Sequence, residues 1–253
     1  MDKETIIFLH GIVGNKNAFK MEMETLKSRY NCFAYDFYNP DDLADSDFSL
    51  EFLLDQLYAH FINENIEKAH LCTLSFGCIV ASAFAKRYPS MVMSMTFVGG
   101  YLCKVPAQYH RNVAHVLEVK ERWEYDKWIQ YCASLLNPNS VFLAEDSEKI
   151  YQTYALQLES GIFEQALRIQ LEFDSQSALA GINLPILWVM GEYDELFKST
   201  LTSLHQLIPH VEYRELKNAG HAAHAHQHDQ FMSVFQSFLK RNRSTQTVLV
   251  HRQ

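Results

Sequence analysis

Thr73-Leu74-Ser75-Phe76-Gly77 separates an apolar run, Ala69-His70-Leu71-Cys72, from a helix-forming run that extends from Cys78 to Tyr88. A strand that feeds a helix through so short a turn leaves the middle residue at the end of the sheet, with the helix N-terminus beside it. The serine hydroxyl then stands clear of the sheet, and unpaired backbone N–H groups point towards it. That is a way to present a nucleophile. The usual form of the pattern is G-x-S-x-G, and Thr73 stands here where the first glycine belongs. A serine at this place also serves as an ordinary buried helix cap, so partners elsewhere in the chain must decide between the two.

Working outward, β-rich runs occur at 5–9, 31–36, 70–74, 91–98, 186–190 and 211–216. Segments of helical period occur at 18–28, 50–64, 76–88, 196–207 and 229–240. Strands alternating with helices predict an α/β fold, a mostly parallel sheet of about six strands with helices on both faces. The strands are near-continuously apolar, as expected of a sheet buried on both sides. From about 102 to 180 no strand pattern is found, and helical periods recur near 107–119, 124–136, 147–159 and 162–173. The chain thus reads as one domain, 1–253, with a helical lid insertion at about 102–180. That insertion is rich in aromatics, among them Tyr109, Trp123, Trp128, Phe142, Tyr151, Tyr154 and Phe163. They either pack the insertion's own core or line an apolar pocket beneath it.

A serine nucleophile needs a general base, an acid to hold that base in the right tautomer, and donors for the oxyanion. Pro185-Ile186-Leu187-Trp188-Val189-Met190-Gly191-Glu192-Tyr193-Asp194 is a buried strand whose turn delivers Asp194 just past its carboxyl end. Ligands of open α/β sheets gather at that end. Asp194 is also placed to cap the helix that follows, a role that rivals the catalytic one but is the less favoured. The stretch from Val211 to His221 repeats the design: a strand, a loop with Gly220, then His221.

Four motifs, each after a strand, therefore stand in order: His10-Gly11, the Ser75 turn, Gly191-x-x-Asp194 and Gly220-His221. In them, and over nearly its whole length, the chain resembles the α/β-hydrolase superfamily, in particular its lidded serine esterases. The resemblance implies Ser75, His221 and Asp194 as the catalytic triad. It further implies that the backbone N–H groups of Ile12 and Phe76 form the oxyanion hole. Glu192 and Glu195 are nearby carboxylates off the family spacing, and His10 is expected to order its turn rather than act as a second base. Thr73 departs from the pattern, as does Asp36-Phe37-Tyr38-Asn39-Pro40, which lacks the glycine many relatives carry there. The chain starts at the family's third strand, so six strands are expected rather than eight.

Within the family, the chain looks similar in size and lid to two subgroups: the methyl-ester esterases of biotin synthesis and the menaquinone-pathway enzyme that eliminates pyruvate. The expected function is cleavage of an ester or thioester of a small, largely apolar acyl substrate. The alternatives are a carbon–carbon bond hydrolase or lyase of the menaquinone-pathway type, or a lidded small-molecule receptor with low turnover. An acyl carrier protein as substrate would need a basic docking patch. The insertion has more Asp and Glu than Lys and Arg, which weighs against one, although Arg111, Arg122 and Arg168 are the residues that would supply it. No cofactor is expected.

Composition narrows the partners. A formal charge of -8 opposes nucleic-acid binding, which needs a basic footprint. Lys240-Arg241-Asn242-Arg243 reads as the basic end of a helix. Five cysteines (Cys32, Cys72, Cys78, Cys103, Cys132) are an odd number without C-x-x-C spacing and point to a reducing compartment. With no signal-peptide pattern and no membrane-length apolar run, a cytoplasmic location is expected. His221, His224 and His228 share a helical spacing that zinc sites use. No carboxylate accompanies them in a metalloenzyme pattern, so no metal is expected, and His224, His226 and His228 read as polar residues near the start of the last helix. The tail 244–253 reads as loose.

Overall fold

Alternation along the first strand sets the layers. Ile6 and Phe8 belong to one apolar cluster and Ile7 and Leu9 to another, so successive side chains enter opposite faces of a sheet covered on both sides. The computed structural model describes residues 3–43 and 47–243; the reading of the tail at 244–253 falls outside them. Its strands are β1 (Thr5–Leu9), β2 (Asn31–Ala34), β3 (Ala69–Leu74), β4 (Val92–Val98), β5 (Ile186–Gly191) and β6 (Glu212–Leu216). They form one parallel sheet in the order β2-β1-β3-β4-β5-β6, as the alternating pattern predicts.

The main helices are α1 (Lys20–Leu26), α2 (Leu50–Asn63), α3 (Gly77–Arg87), α4 (Gln108–Glu118), α5 (Tyr125–Leu136), α6 (Ser147–Ala155), α7 (Ser160–Glu172) and α8 (His228–Arg241). Leu26 of α1 and Phe231, Phe235 and Phe238 of α8 pack on Ile6, Phe8, Cys72, Leu187 and Val189. Leu53 and Leu57 of α2 and Ile79, Val80 and Phe84 of α3 pack on the other face with Ile7, Leu71 and Phe97. Between β4 and β5 run α4 to α7 and a short helix, Ser175–Leu179, with no strand among the described residues. Trp128 and Phe163 are fully buried there, and the Trp128 indole N–H donates to Val116 O at 2.7 Å.

The chain leaves β1 for the edge strand β2 and returns to the opposite side of β1 as β3. Connections therefore diverge at the carboxyl ends of β1 and β3, the place where open α/β sheets leave a crevice. Ile12 follows β1 and Ser75 follows β3, so topology alone brings these two turns together.

Several boundaries differ from expectation for local reasons. The helix expected at 196–207 divides into Glu195–Lys198 and Leu204–Leu207. Ser199 and Thr200 hydroxyls donate to the carbonyls of Leu196 and Phe197, and such side-chain bonds compete with helical continuation. The helix expected at 147–159 stops at Ala155, where the Tyr125 hydroxyl meets the carbonyls of Ala155 and Leu158. The helix expected at 18–28 begins as a 3-10 turn, Lys16–Phe19, capped by the Asn15 side chain.

Gly77 shows how tightly the Ser75 turn is pressed onto the sheet. A Cβ there would lie 2.8 Å from Leu9 O and 3.0 Å from His10 O, both backbone atoms that cannot swing away. Gly77→Ala is expected to force α3 off β1 and lower stability by about 1–3 kcal/mol. Urea unfolding would show it as a fall in midpoint with an unchanged slope.

Candidate active site

Ser75 sits at φ +49, in the left-handed region that a residue with a Cβ adopts only at a cost. The strain is held by two hydrogen bonds: Ser75 N–H to Val98 O at 2.9 Å and Cys78 N–H to Ser75 O at 2.8 Å. Thr73 fits without a glycine's freedom. Its side chain is buried on the same side of β3 as Leu71, and its hydroxyl reaches Thr96 O at 3.4 Å, so no polar atom is stranded.

The turn after β1 is fixed through its carbonyls. Gly11 O accepts from Gly14 N–H at 3.0 Å and from His10 Nδ1 at 2.7 Å, while the Tyr38 hydroxyl donates to Ile12 O. His10 Nε2 in turn accepts from Phe37 N–H at 3.0 Å, which fixes a neutral imidazole carrying its proton on Nδ1. Burial agrees with this, pulling the His10 pKa down to about 4. His10 thus orders the turn and also ties it to the loop after β2. The N–H groups of Ile12 and Phe76 meet no hydrogen-bond acceptor among the described residues. Phe76 N–H is one of the open donors at the start of α3.

Asp194 ends a turn closed by Asp194 N–H to Gly191 O at 3.1 Å. Its backbone carbonyl opens the helix Glu195–Lys198, but its side chain makes no capping bond there. The buried carboxylate instead places Oδ2 2.9 Å from His221 Nδ1. The two neighbouring carboxylates are engaged elsewhere. Glu192 accepts from Asn218 N–H and Lys217 Nζ, which pins the base of the β6 loop, and Glu195 pairs with Lys198.

The loop carrying His221 lies against the Asp194 turn. Tyr193 N–H donates to Ala219 O at 2.9 Å, and a Cβ on Gly191 would come within 2.1 Å of Gly220 O. Phe197 stacks on the imidazole with ring centroids 3.8 Å apart. Gly99, at φ +56, leaves the ring its space; a Cβ there would fall 2.9 Å from Nδ1 and Cε1. With Nδ1 held by Asp194, Nε2 is the nitrogen left to act in the cavity that His221 shares with Ser75.

That cavity has a volume of about 310 Å³. Ile12, Leu74, Tyr109, Leu136, Ile150 and Tyr151 supply much of its apolar wall. The insertion's aromatics therefore divide: Trp128 and Phe163 are core, whereas Tyr109, Tyr151 and Tyr154 reach the cavity. No Lys or Arg lines it among the described residues, and its carboxylate is Glu145.

The histidines after His221 separate rather than converge. His224 is buried against Phe19, with Nε2 3.1 Å from Ala18 O, and burial lowers its pKa to about 4. It stands just before the last helix, as read from the sequence, and is buried there because the chain brings the 3-10 turn before α1 over it. His226 meets Glu145, and His228 meets Glu22. Among the described residues no group of three or more His, Cys, Asp or Glu side chains is disposed to hold a metal ion. No helix among them is long and apolar enough to cross a membrane. Glu145, His226 and Phe197 carry no sequence signal that would have placed them here.

The sequence profile of the alpha/beta hydrolase fold matches residues 4–226. The chain belongs to the alpha/beta hydrolase fold family. Among relatives of this family, a Pantoea ananatis protein provisionally named carbamate hydrolase RutD is 23% identical, over 96% of this chain and 90% of its own. The 3-oxoadipate enol-lactonase 1 of Acinetobacter baylyi is 23% identical, over 93% of this chain and 88% of its own. The structure of MenH from S. aureus superposes with a TM-score of 0.79 at 18% identity, covering 96% of both chains, a likeness of fold alone. The names of the curated relatives support hydrolysis as the reaction class.

Proposed function

We propose that this protein is a serine hydrolase that cleaves an ester or thioester of a small, largely apolar acyl substrate. The observation that carries the reading is that Ser75, on its strained turn, and His221, tied through Nδ1 to a buried Asp194, line one cavity. Ser75 Oγ attacks the carbonyl carbon as its proton passes to His221 Nε2. The N–H groups of Ile12 and Phe76 bind the oxygen as it gains charge. The bond to the leaving group breaks, and that group departs with the proton from His221. Water then attacks the acyl-enzyme as His221 Nε2 takes its proton, and the acid leaves as His221 passes that proton to Ser75 Oγ. Asp194 keeps His221 in the required tautomer and balances its transient charge.

Cavity size and lining support a narrower reading of the substrate. A volume of about 310 Å³ is at the small end of ligand sites. A substrate carboxylate would enter without a Lys or Arg to meet it and would face Glu145 instead. That weighs against the pyruvate-eliminating alternative, whose leaving group is itself a carboxylate. The test is a panel of p-nitrophenyl esters. Steady turnover of the acetate and butyrate is expected, with kcat/KM at least about tenfold lower for the hemiglutarate and for acyl chains of twelve carbons or more. Absence of steady turnover on every neutral ester would refute the reading.

A further inference from the structure

We propose that His226 is a positioning residue for His221, and that Glu145 fixes the tautomer His226 needs for that task. The inference rests on the serine-hydrolase reading for its kinetic arm only. His226 Nδ1 accepts from Gly220 N–H at 2.9 Å, and Gly220 immediately precedes His221. Its Nε2 lies 2.9 Å from Glu145 Oε1. A single protonation state satisfies both contacts: neutral, with the proton on Nε2. A proton on Nδ1 would confront the Gly220 N–H donor to donor and leave a backbone group without an acceptor in a part-buried place. The Glu145 carboxylate accepts only, so it selects the useful tautomer.

Glu145 comes from the insertion, on the segment just before α6, and that segment lies across both loops of the acid–base pair. Phe142 stacks on Tyr193 with centroids 4.8 Å apart, and a Cβ on Gly220 would come within 2.8 Å of Leu143 Cδ1. The insertion thus does more than enclose a cavity. Through Glu145 and His226 it holds the backbone donor beside His221, and His221 moves if that donor is released.

Two amides separate the contacts. In His226→Asn, Oδ1 replaces Nδ1 as the acceptor for Gly220, and the side chain is too short for Glu145. In His226→Gln the amide reaches towards Glu145 and leaves Gly220 without its acceptor. The downfield proton resonance of His221 Nδ1–H, assigned by its loss in Asp194→Ala, and kcat and KM on a short-chain ester are the readouts. His226→Asn is expected to keep the resonance and rescue kcat to within about threefold of wild type. His226→Gln is expected to shift or broaden the resonance and lower kcat tenfold or more, with KM within twofold. Glu145→Ala should shift or broaden the resonance and lower kcat three- to tenfold in the wild-type background, and leave the resonance in place in His226→Asn, which has no tautomer to select. Equal damage from Asn and Gln, or none from Gln, overturns the proposal. So does an equal Glu145→Ala effect in both backgrounds, which would place Glu145 on the substrate instead. If the wild type turns over no ester, the serine-hydrolase reading fails and the resonance alone decides: kept in Asn and lost in Gln supports the proposal, and the same result in both overturns it.

Discussion

Ser75→Ala is expected to lower kcat on a short-chain p-nitrophenyl ester by roughly 10⁴- to 10⁶-fold, with KM within a few-fold of wild type. The split follows from where Ser75 stands. Its hydroxyl is small, and the cavity wall is made by other side chains, so ground-state binding survives its loss. On the proposed mechanism the bond-forming atom disappears, and the remaining rate is that of water acting beside the N–H groups of Ile12 and Phe76, which meet no acceptor among the described residues. The variant relieves little strain, since alanine also carries a Cβ at φ +49. Stability should therefore change by less than about 1 kcal/mol, which separates lost chemistry from lost folding. Steady-state kinetics and a urea melt on the same preparation measure both.

Asp194→Asn is expected to reduce kcat by about 10⁴-fold at neutral pH. The carboxylate accepts from His221 Nδ1 at 2.9 Å and so keeps the proton there, which leaves Nε2 to receive the Ser75 proton in the proposed mechanism. An asparagine can turn its NH₂ group towards Nδ1, which moves the ring proton to Nε2 and blocks that step. Burial enlarges the effect, because the imidazolium formed in the transition state would lose its counter-charge in a place with little water. Glu195→Gln is the control. Glu195 pairs with Lys198 on the protein surface, and its loss should change kcat by less than about twofold. A large fall for Glu195→Gln with none for Asp194→Asn would move the acid to the other carboxylate.

The sheet was legible because parallel strands buried on both faces appear as short continuous apolar runs, such as Ile186 to Met190, and Gly-containing turns follow them. The order of Ser75, Asp194 and His221 was legible because each follows such a strand, and topology places the ends of parallel strands side by side. The burial of His224 was not legible because it depends on Phe19 and Ala18, some 200 residues earlier, and no local pattern carries that. The break in the helix after Lys198 turned on hydroxyls at Ser199 and Thr200 choosing backbone carbonyls, which periodicity does not see. The meeting of Glu145 with His226 was hidden for the same reason as His224, since it depends on where a long helical insertion comes to rest.

Labelling with a serine-directed phosphonate, followed by mass spectrometry of the digested protein, separates Ser75 as nucleophile from every other serine. One stoichiometric adduct is expected, on Ser75, that is absent from Ser75→Ala and formed far more slowly in His221→Ala. An adduct on another serine, or labelling of Ser75 at the same rate without His221, would contradict the proposed mechanism.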